Sequence, residues 1–543
     1  MLLISLLSII LYQNKSLNLA SERAIIKFMY ASKLRAWYLL VLVCLFFLIT
    51  RIYKISEIPG SVYWDEASIG YNAYSVALTG KDEWGEAIPK FFKAFGETKL
   101  PIYIYTVALT TKFFGLNEFS LRLPAVLFSL GTIILVFFLS KSLFENTLVG
   151  LFSSFLLTIS PWFFIFSRTG YEATAGLFFF IMGIFLWLEY RRNKIFLIIS
   201  SLSFILSIYS YNAFIILSLL VLPILFIWLI RSNVLKKTSL LLIVPIILIT
   251  VGYLPMIVSL SHGSSRLEVV GIFNNSKPQI LKELLINYTK HFNPGFLFLS
   301  GDVNLRSQQK GFGQIYIIEV PFLIIGIIAS LRKKRFNYLF PVYVLFISTI
   351  PAAITKESPH ALRSILAAPF ISLISAFGIS LVCLKIKKGF RNFFYPALAT
   401  VFLIFFANYD YAFLRNYNKD SYNDWQYGYK KIFLDYSKEF KKYNHIIVSD
   451  RYNQPYIFAL FYLKYDPNNF RDEVFYNKSI RKATSLVSNF SNFIFTDVNF
   501  YDLPKGKNLI FTTPSDRMDE IKPKDVILNP DKTISIYIYE YEK

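Results

Sequence analysis

The run Pro59-Gly60-Ser61-Val62-Tyr63-Trp64-Asp65-Glu66-Ala67 places two adjacent carboxylates after an aromatic residue. Glu97 and Lys99 follow in Phe95-Gly96-Glu97-Thr98-Lys99-Leu100-Pro101, and Arg122 in Leu121-Arg122-Leu123-Pro124. A carboxylate in such a setting can act as a general base toward a hydroxyl or an amine. A lysine and an arginine can neutralise a phosphate leaving group, the arginine in bidentate fashion. The same residues also have plain structural readings. Acids at a helix N-terminus favour the dipole, and Lys99 and Arg122 could be snorkelling interfacial anchors. Residue types alone leave both readings open.

The elements that must position these groups are mostly apolar. Of 543 residues, 55% are hydrophobic and 17% charged, yet the net charge is +22. Mean hydropathy is +0.46. A soluble chain of this size needs more polar surface, so lipid is part of the solvent. Lysines and arginines kept in cytoplasmic loops account for the positive surplus. No helix-turn-helix, zinc spacing or RNA-binding signature is present, so nucleic acid is not an expected partner. Cys44 and Cys383 each sit inside an apolar run and do not suggest a disulfide or metal pair.

A bilayer crossing takes ~20 helical residues. Eleven runs qualify: near 36–53, 123–143, 147–165, 172–189, 195–210, 213–230, 239–260, 314–331, 337–354, 364–384 and 393–409. Leu2 to Tyr12 is too short to cross and lacks the basic flank of a signal peptide. The run 101–116 is short and carries Lys112. Loop charge decides its place. With 101–116 lying in the interface, Lys141, Arg191, Arg192, Lys194, Arg231, Lys236, Lys237, Arg332–Arg335, Lys385, Lys387, Lys388 and Arg391 all fall on the cytoplasmic side. Were it to cross, those loops would face out.

The expected organisation is a cytoplasmic or interfacial segment 1–35, a transmembrane domain 36–412 with a long outer loop 54–122, and an extracytoplasmic domain 413–543. Strand-like runs at 445–448, 492–495, 508–511 and 534–539, with helical stretches between, give the last part an α/β character. This topology puts Asp65, Lys99, Arg122, Arg168 and Glu172 on one side of the membrane. Glu172 at a span edge is costly in lipid and often functional, or it pairs with Arg168 four residues earlier. Lys356, Glu357, His360 and Arg363 reach the same side, as a second phosphate or sugar contact or as an ordinary polar loop.

The stretch Pro59–Glu172 resembles the bacterial branch of the protein O-mannosyltransferase and aminoarabinose transferase superfamily. The resemblance rests on Trp64-Asp65-Glu66-Ala67, Gly80-Lys81-Asp82-Glu83-Trp84-Gly85, Lys99-Leu100-Pro101, Phe114-Gly115-Leu116 leading to Arg122-Leu123-Pro124, and Ser160-Pro161-Trp162 leading to Ser167-Arg168. His291-Phe292-Asn293-Pro294, Ser300-Gly301-Asp302 and His360-Ala361-Leu362-Arg363 extend it. It implies a GT-C fold, a polyprenyl-phosphate sugar donor, and inverting transfer at the outer leaflet to an extracytoplasmic acceptor such as a protein, a glycolipid or a cell-envelope glycan. Asp65 would be the base, Glu66 its support, and Lys99 and Arg122 the phosphate ligands. Aminoarabinose transferases carry an acid directly before Lys-Pro. Here Thr98 separates Glu97 from Lys99, which weakens the carry-over for Glu97 and argues against lipid A as acceptor. The four histidines show no metal spacing. No cofactor is required, although a divalent cation at Asp65-Glu66 is compatible with the pattern. A transporter or flippase of lipid-linked sugars is the alternative, but inverted repeats and broken mid-membrane helices are not evident.

Overall fold

The structure is a computed structural model that describes residues 19–231, 239–261, 270–273, 276–477 and 485–543. The Leu2–Tyr12 run, Lys236, Lys237 and His262 lie outside the described residues. Every one of the eleven apolar runs contains helix. In chain order, α1 is Leu19–Ile52, α2 Trp64–Thr79, α3 Pro101–Phe114, α4 Glu118–Phe144, α5 Thr147–Ile159, α6 Ala173–Leu188, α7 Ile195–Ile208, α8 Ala213–Arg231 and α9 Ser239–Ser261. They are followed by α10 Lys277–Lys290, α11 Val320–Lys333, α12 Phe336–Ile347, α13 Ala367–Lys385 and α14 Lys388–Ser421.

Six helical stretches are long and apolar enough to cross a membrane: Arg35–Ile52, α4, α8, Phe336–Ala353, α13 and Gly389–Ser421. The pair Thr147–Ile159 and Pro161–Arg168, bent by 66°, raises the number to seven. By length and composition the described residues therefore do not reach the expected eleven. For α7 and α11 the reason is length. Helices α7 and α11 have 14 residues each, about 21 Å, against a hydrocarbon core of ~30 Å. The run 101–116 forms α3 and is not among the spans.

Helix α4 begins at a reciprocal cap. The Asn117 side chain accepts from the Ser120 N–H at 2.9 Å, and the Ser120 hydroxyl accepts from the Asn117 N–H at 3.2 Å. That cap fixes the first turn and with it Arg122. A short hairpin, β1 (Phe92–Ala94) with β2 (Glu97–Lys99), precedes α3 and delivers Lys99. Helices α11 and α13 cross so closely that a Cβ on Gly378 would lie 1.9 Å from the Phe322 carbonyl oxygen.

Beyond α14 the chain builds α15 (Tyr427–Asp435), α16 (Pro455–Leu463) and α17 (Pro467–Glu473) around a sheet. Its strands are β3 (His445–Ser449), β4 (Phe475–Tyr476), β5 (Val487–Phe490), β6 (Phe493–Thr496), β7 (Lys507–Thr512), β8 (Asp525–Leu528) and β9 (Ile534–Glu542). The order is β4-β5-β6-β3-β7-β9-β8, with β6, β3 and β7 parallel. One face of this sheet does not make a core of its own. Ile446, Val448, Phe493 and Phe511 join Val62, Ala67, Ile69 and Tyr103 of the first loop in one apolar cluster. The contact is tight, because a Cβ on Gly70 would meet the Phe461 ring at 2.5 Å.

Replacing Gly378 by Ala should destabilise the α11–α13 crossing by about 1–3 kcal/mol. A lower thermal unfolding temperature in detergent is the expected result. An unchanged temperature would argue against the close crossing.

Candidate active site

The first carboxylates open a helix. Asp65 and Glu66 occupy the first turn of α2, where acids complement the dipole. From there their environments diverge. Glu66 is fully buried and pairs with the equally buried Arg122 at 3.0 and 3.2 Å, a bidentate contact. The Gly170 N–H donates to the same carboxylate at 2.5 Å. Arg122 also donates to the carbonyls of Ile55 (2.8 Å), Pro59 (3.1 Å) and Ser61 (2.7 Å). Its donors are thus taken up inside the protein, and its guanidinium is not offered to a phosphate.

Arg168 has a parallel fate. Burial is complete, and it donates to the carbonyls of Thr50 (3.1 Å), Tyr53 (2.9 Å) and Ile58 (3.1 Å). Thr50 lies in the last turn of α1, whose carbonyls lack helical partners, and Tyr53 and Ile58 belong to the turn that follows. Arg168 thus holds the end of α1 and the turn that follows it. Arg51 lies beside it, over the Phe164 ring at 4.1 Å, and donates to Ser167 Oγ at 2.7 Å.

Asp65 keeps 15% of its side chain exposed and is paired by Lys99, which is 3% exposed. Hairpin β1–β2 carries Lys99 into this contact, and Glu97 sits at the outer end of the same strand, half-buried. Tyr63 precedes the pair. It packs against Tyr171 at 5.6 Å and Trp425 at 5.5 Å. Burial pushes the Tyr63 hydroxyl well up, and Asp65, Tyr171 and Glu172 push it further, so it stays a proton donor. Arg306 covers the same ring at 4.7 Å. Burial works against its charge, but Tyr171, Tyr63 and Asp65 more than offset that. Arg306 belongs to a polar loop with no pattern to mark it, and only the fold brings it here. Glu172 directly precedes α6 and contributes to the field around Tyr63.

The C-terminal part closes the site. Asp424 takes an Arg306 N–H on its carbonyl at 3.1 Å. The Arg122 guanidinium lies 5.6 Å from the Trp425 ring. Gln426 accepts from the Trp64 N–H at 3.0 Å and donates to the carbonyls of Tyr452 and Asn453. The first N–H of the Asp65 helix is therefore satisfied by a side chain 362 positions later.

His360 and Arg363 form a separate cluster. Asp302 accepts from the Ala361 N–H at 2.7 Å and from the Asn304 N–H at 3.0 Å, and lies 3.9 Å from His360 Nδ1. His291 accepts the His360 N–H on Nε2 at 3.2 Å and bonds the Asn287 carbonyl through Nδ1 at 2.9 Å. That pattern suits a neutral ring, and burial pushes its pKa down to about 4. Arg363 donates to Thr355 Oγ1 at 2.8 Å and sits 3.6 Å from Glu357. This cluster pins one end of the loop whose other end presents Arg306.

Among the described residues no group of three or more His, Cys, Asp or Glu side chains could hold a metal ion. Glu83, in the Gly80–Gly85 turn, is buried. Burial raises its carboxyl to about 8 and Asp82 adds to the rise, while Asn72 works the other way. The folded chain thus holds a proton that the unfolded chain releases near pH ~4.3. Stability should fall as pH rises from there to about 8, because the unfolded state then binds fewer protons. Glu83→Gln should remove that fall, giving a higher unfolding temperature than wild type at about pH 9 and a similar one at about pH 4. Equal values at both would refute the buried acid. Breaking the other buried contact, with Arg122→Gln, should cost about 3–5 kcal/mol, read as a large drop in unfolding temperature. A variant as stable as wild type would contradict the pair's role.

The sequence model of the dolichyl-phosphate-mannose-protein mannosyltransferase family matches residues 98–258, which include Lys99, Arg122, Arg168 and Glu172 but not Asp65. Among curated proteins none matches by sequence. ArnT from Cupriavidus metallidurans in the apo state shares the fold at a TM-score of 0.54 and 11% identity, over 94% of this chain and 98% of that one. The apo oligosaccharyltransferase of Archaeoglobus fulgidus aligns at 0.50 and 14% identity, over 79% of this chain. This chain spans 64% of the archaeal protein's length. The resemblance read from the motifs therefore holds: over residues 98–258 the chain is similar in sequence to the protein mannosyltransferase family, and it shares the fold of ArnT, a GT-C fold.

Proposed function

We propose that this membrane protein transfers a sugar from a polyprenyl-phosphate donor to an acceptor on the extracytoplasmic side, with inversion at the anomeric carbon. The observation that carries the reading is the partly exposed Asp65 carboxylate, held by Lys99 beside the Tyr63–Arg306 contact. The family match supports a lipid-phosphate donor, since its description names dolichyl phosphate mannose. Asp65 takes the proton from the acceptor hydroxyl or amine as that atom attacks the anomeric carbon. The bond from that carbon to the phosphate oxygen breaks, and the phosphate leaves with the electron pair. Lys99 and Arg306 stabilise the departing phosphate. No step passes through a metal ion.

This reading shifts the roles expected of two arginines. Arg122, with Glu66, positions the first turn of α2, and Arg168 positions the end of α1. Arg306 takes the phosphate role that Arg122 would have had. Glu172 and Glu97 border the acceptor side. His360 and Arg363 act through the loop that presents Arg306. Basic loops on the opposite face support the extracytoplasmic placement.

Asp65→Asn should lower transfer by about 10²–10⁴-fold in a chain that still folds. Arg306→Gln should lower kcat, and kcat/KM with it, because the departing phosphate loses a cation. The assay is mass spectrometry of envelope proteins and glycans from cells carrying each variant, together with donor turnover in proteoliposomes. Wild-type transfer by the Asp65→Asn chain would sink the proposal.

A further inference from the structure

The C-terminal sheet carries a cavity of about 370 Å³ on the face opposite the first loop. Topology explains why a cleft opens there. Strands β3 and β6 are parallel neighbours. The chain leaving β3 runs into α16, whose Ile457, Phe458 and Leu460 pack in the core shared with the first loop. The chain leaving β6 runs through Val498 and Leu503, which pack with Ile447 and Ile510 on the other face. Adjacent parallel strands whose connections part to opposite faces leave a crevice beyond their carboxyl ends. In open α/β sheets that crevice is where ligands bind. The lining comes from this place. Thr496 ends β6, and Asp497, Asn499 and Asp502 follow it, with Asn477 and Ser488 across the gap. The volume lies within the ~300–1,000 Å³ of small-ligand sites.

The lining chemistry narrows the ligand. Amides, hydroxyls and carboxylates supply the polar groups, and Ile447, Ile494 and Val498 supply an apolar wall. No lysine or arginine lines the cavity among the described residues. Asp497 is neutralised from outside by Arg451, at 2.8 and 2.5 Å. Asp502 has no ion pair among the described residues. Asn499 accepts the Tyr501 N–H on its amide oxygen at 3.1 Å, which leaves its NH₂ to donate. Among the described residues no cation would balance a phosphate or an acidic sugar beside Asp502. Neighbouring hydroxyls of a neutral sugar, each able to donate and accept, match a carboxylate and an amide standing side by side, and the C–H face of the ring suits the apolar wall.

We propose that this cleft binds a neutral sugar residue of a glycan. It is a holding site, separated from Asp65 by the sheet. The proposal does not rest on the transfer reaction, because binding is measured without it.

The test uses the full chain in a detergent without sugar headgroups, titrated with neutral disaccharides such as mannobiose and followed by calorimetry. Saturable binding is expected. Asn499→Ala with Asp502→Ala should weaken it by at least about tenfold, ~1.4 kcal/mol. Ser488→Trp, which fills the cavity, should abolish binding while the unfolding temperature stays near wild type, and keeps the test valid if the double variant folds poorly. Binding should persist in the Asp65→Asn chain, so that failure here and failure of the transferase reading are read apart. The proposal is overturned if no neutral disaccharide binds, if both cavity variants bind as wild type does, or if only a uronic-acid disaccharide or calcium chloride titrates.

Discussion

The site depends on how the chain leaves its first membrane helix. Between Thr50 and Ser61 it must turn from α1 into α2 while its carbonyls lie away from water. Arg168 takes the carbonyls of Thr50, Tyr53 and Ile58, and Arg122 those of Ile55, Pro59 and Ser61. An unpaired buried carbonyl is costly, and an arginine offers five donors in a fixed fork. Two arginines thus fix the end of α1 and the irregular backbone after it, and Asp65 stands just beyond that segment. Glu66 gives Arg122 its counter-charge and ties the grip to the first turn of α2.

The same grip sorts two neighbouring acids into two jobs. Glu66 points into a closed contact with Arg122 and the Gly170 N–H. Asp65, one residue earlier on the helix, points to a partly open space with Lys99. Helical geometry alone separates adjacent side chains by ~100°, so a pair of acids at a helix start can face a core and a cleft at once.

The C-terminal part belongs to this construction. Its sheet shares an apolar core with the first loop, and Gln426 and Trp425 reach the turn before α2. Removing it would expose that core and leave the Trp64 N–H without its partner. The opposite face of the sheet has its own small core and its own cleft, so a single sheet supports the first loop with Asp65 and Lys99 on one side and a separate cavity on the other.

Sequence by itself determined the membrane character, the apolar runs, four of the seven strands of the C-terminal sheet (β3, β6, β7 and β9) and the membrane side of Lys99. Hydrophobic content, periodicity and charge counting are local properties, and local properties survive without a fold. The roles of Arg122 and Arg168 were decided only by tertiary structure, because an exposed phosphate ligand and a buried carbonyl clamp have the same residue type at the same position. Arg306, Trp425 and Gln426 had no local signal at all, since each reaches Tyr63, Arg122 or the Trp64 N–H across hundreds of residues. Among the described residues six or seven crossings stand out by length and composition, because helix length depends on where caps and bends fall, as at the 66° break after Ile159. The physical reason is common to all three. Which donors are buried, and by which distant carbonyl or ring, is a property of packing and is absent from any single window of the chain.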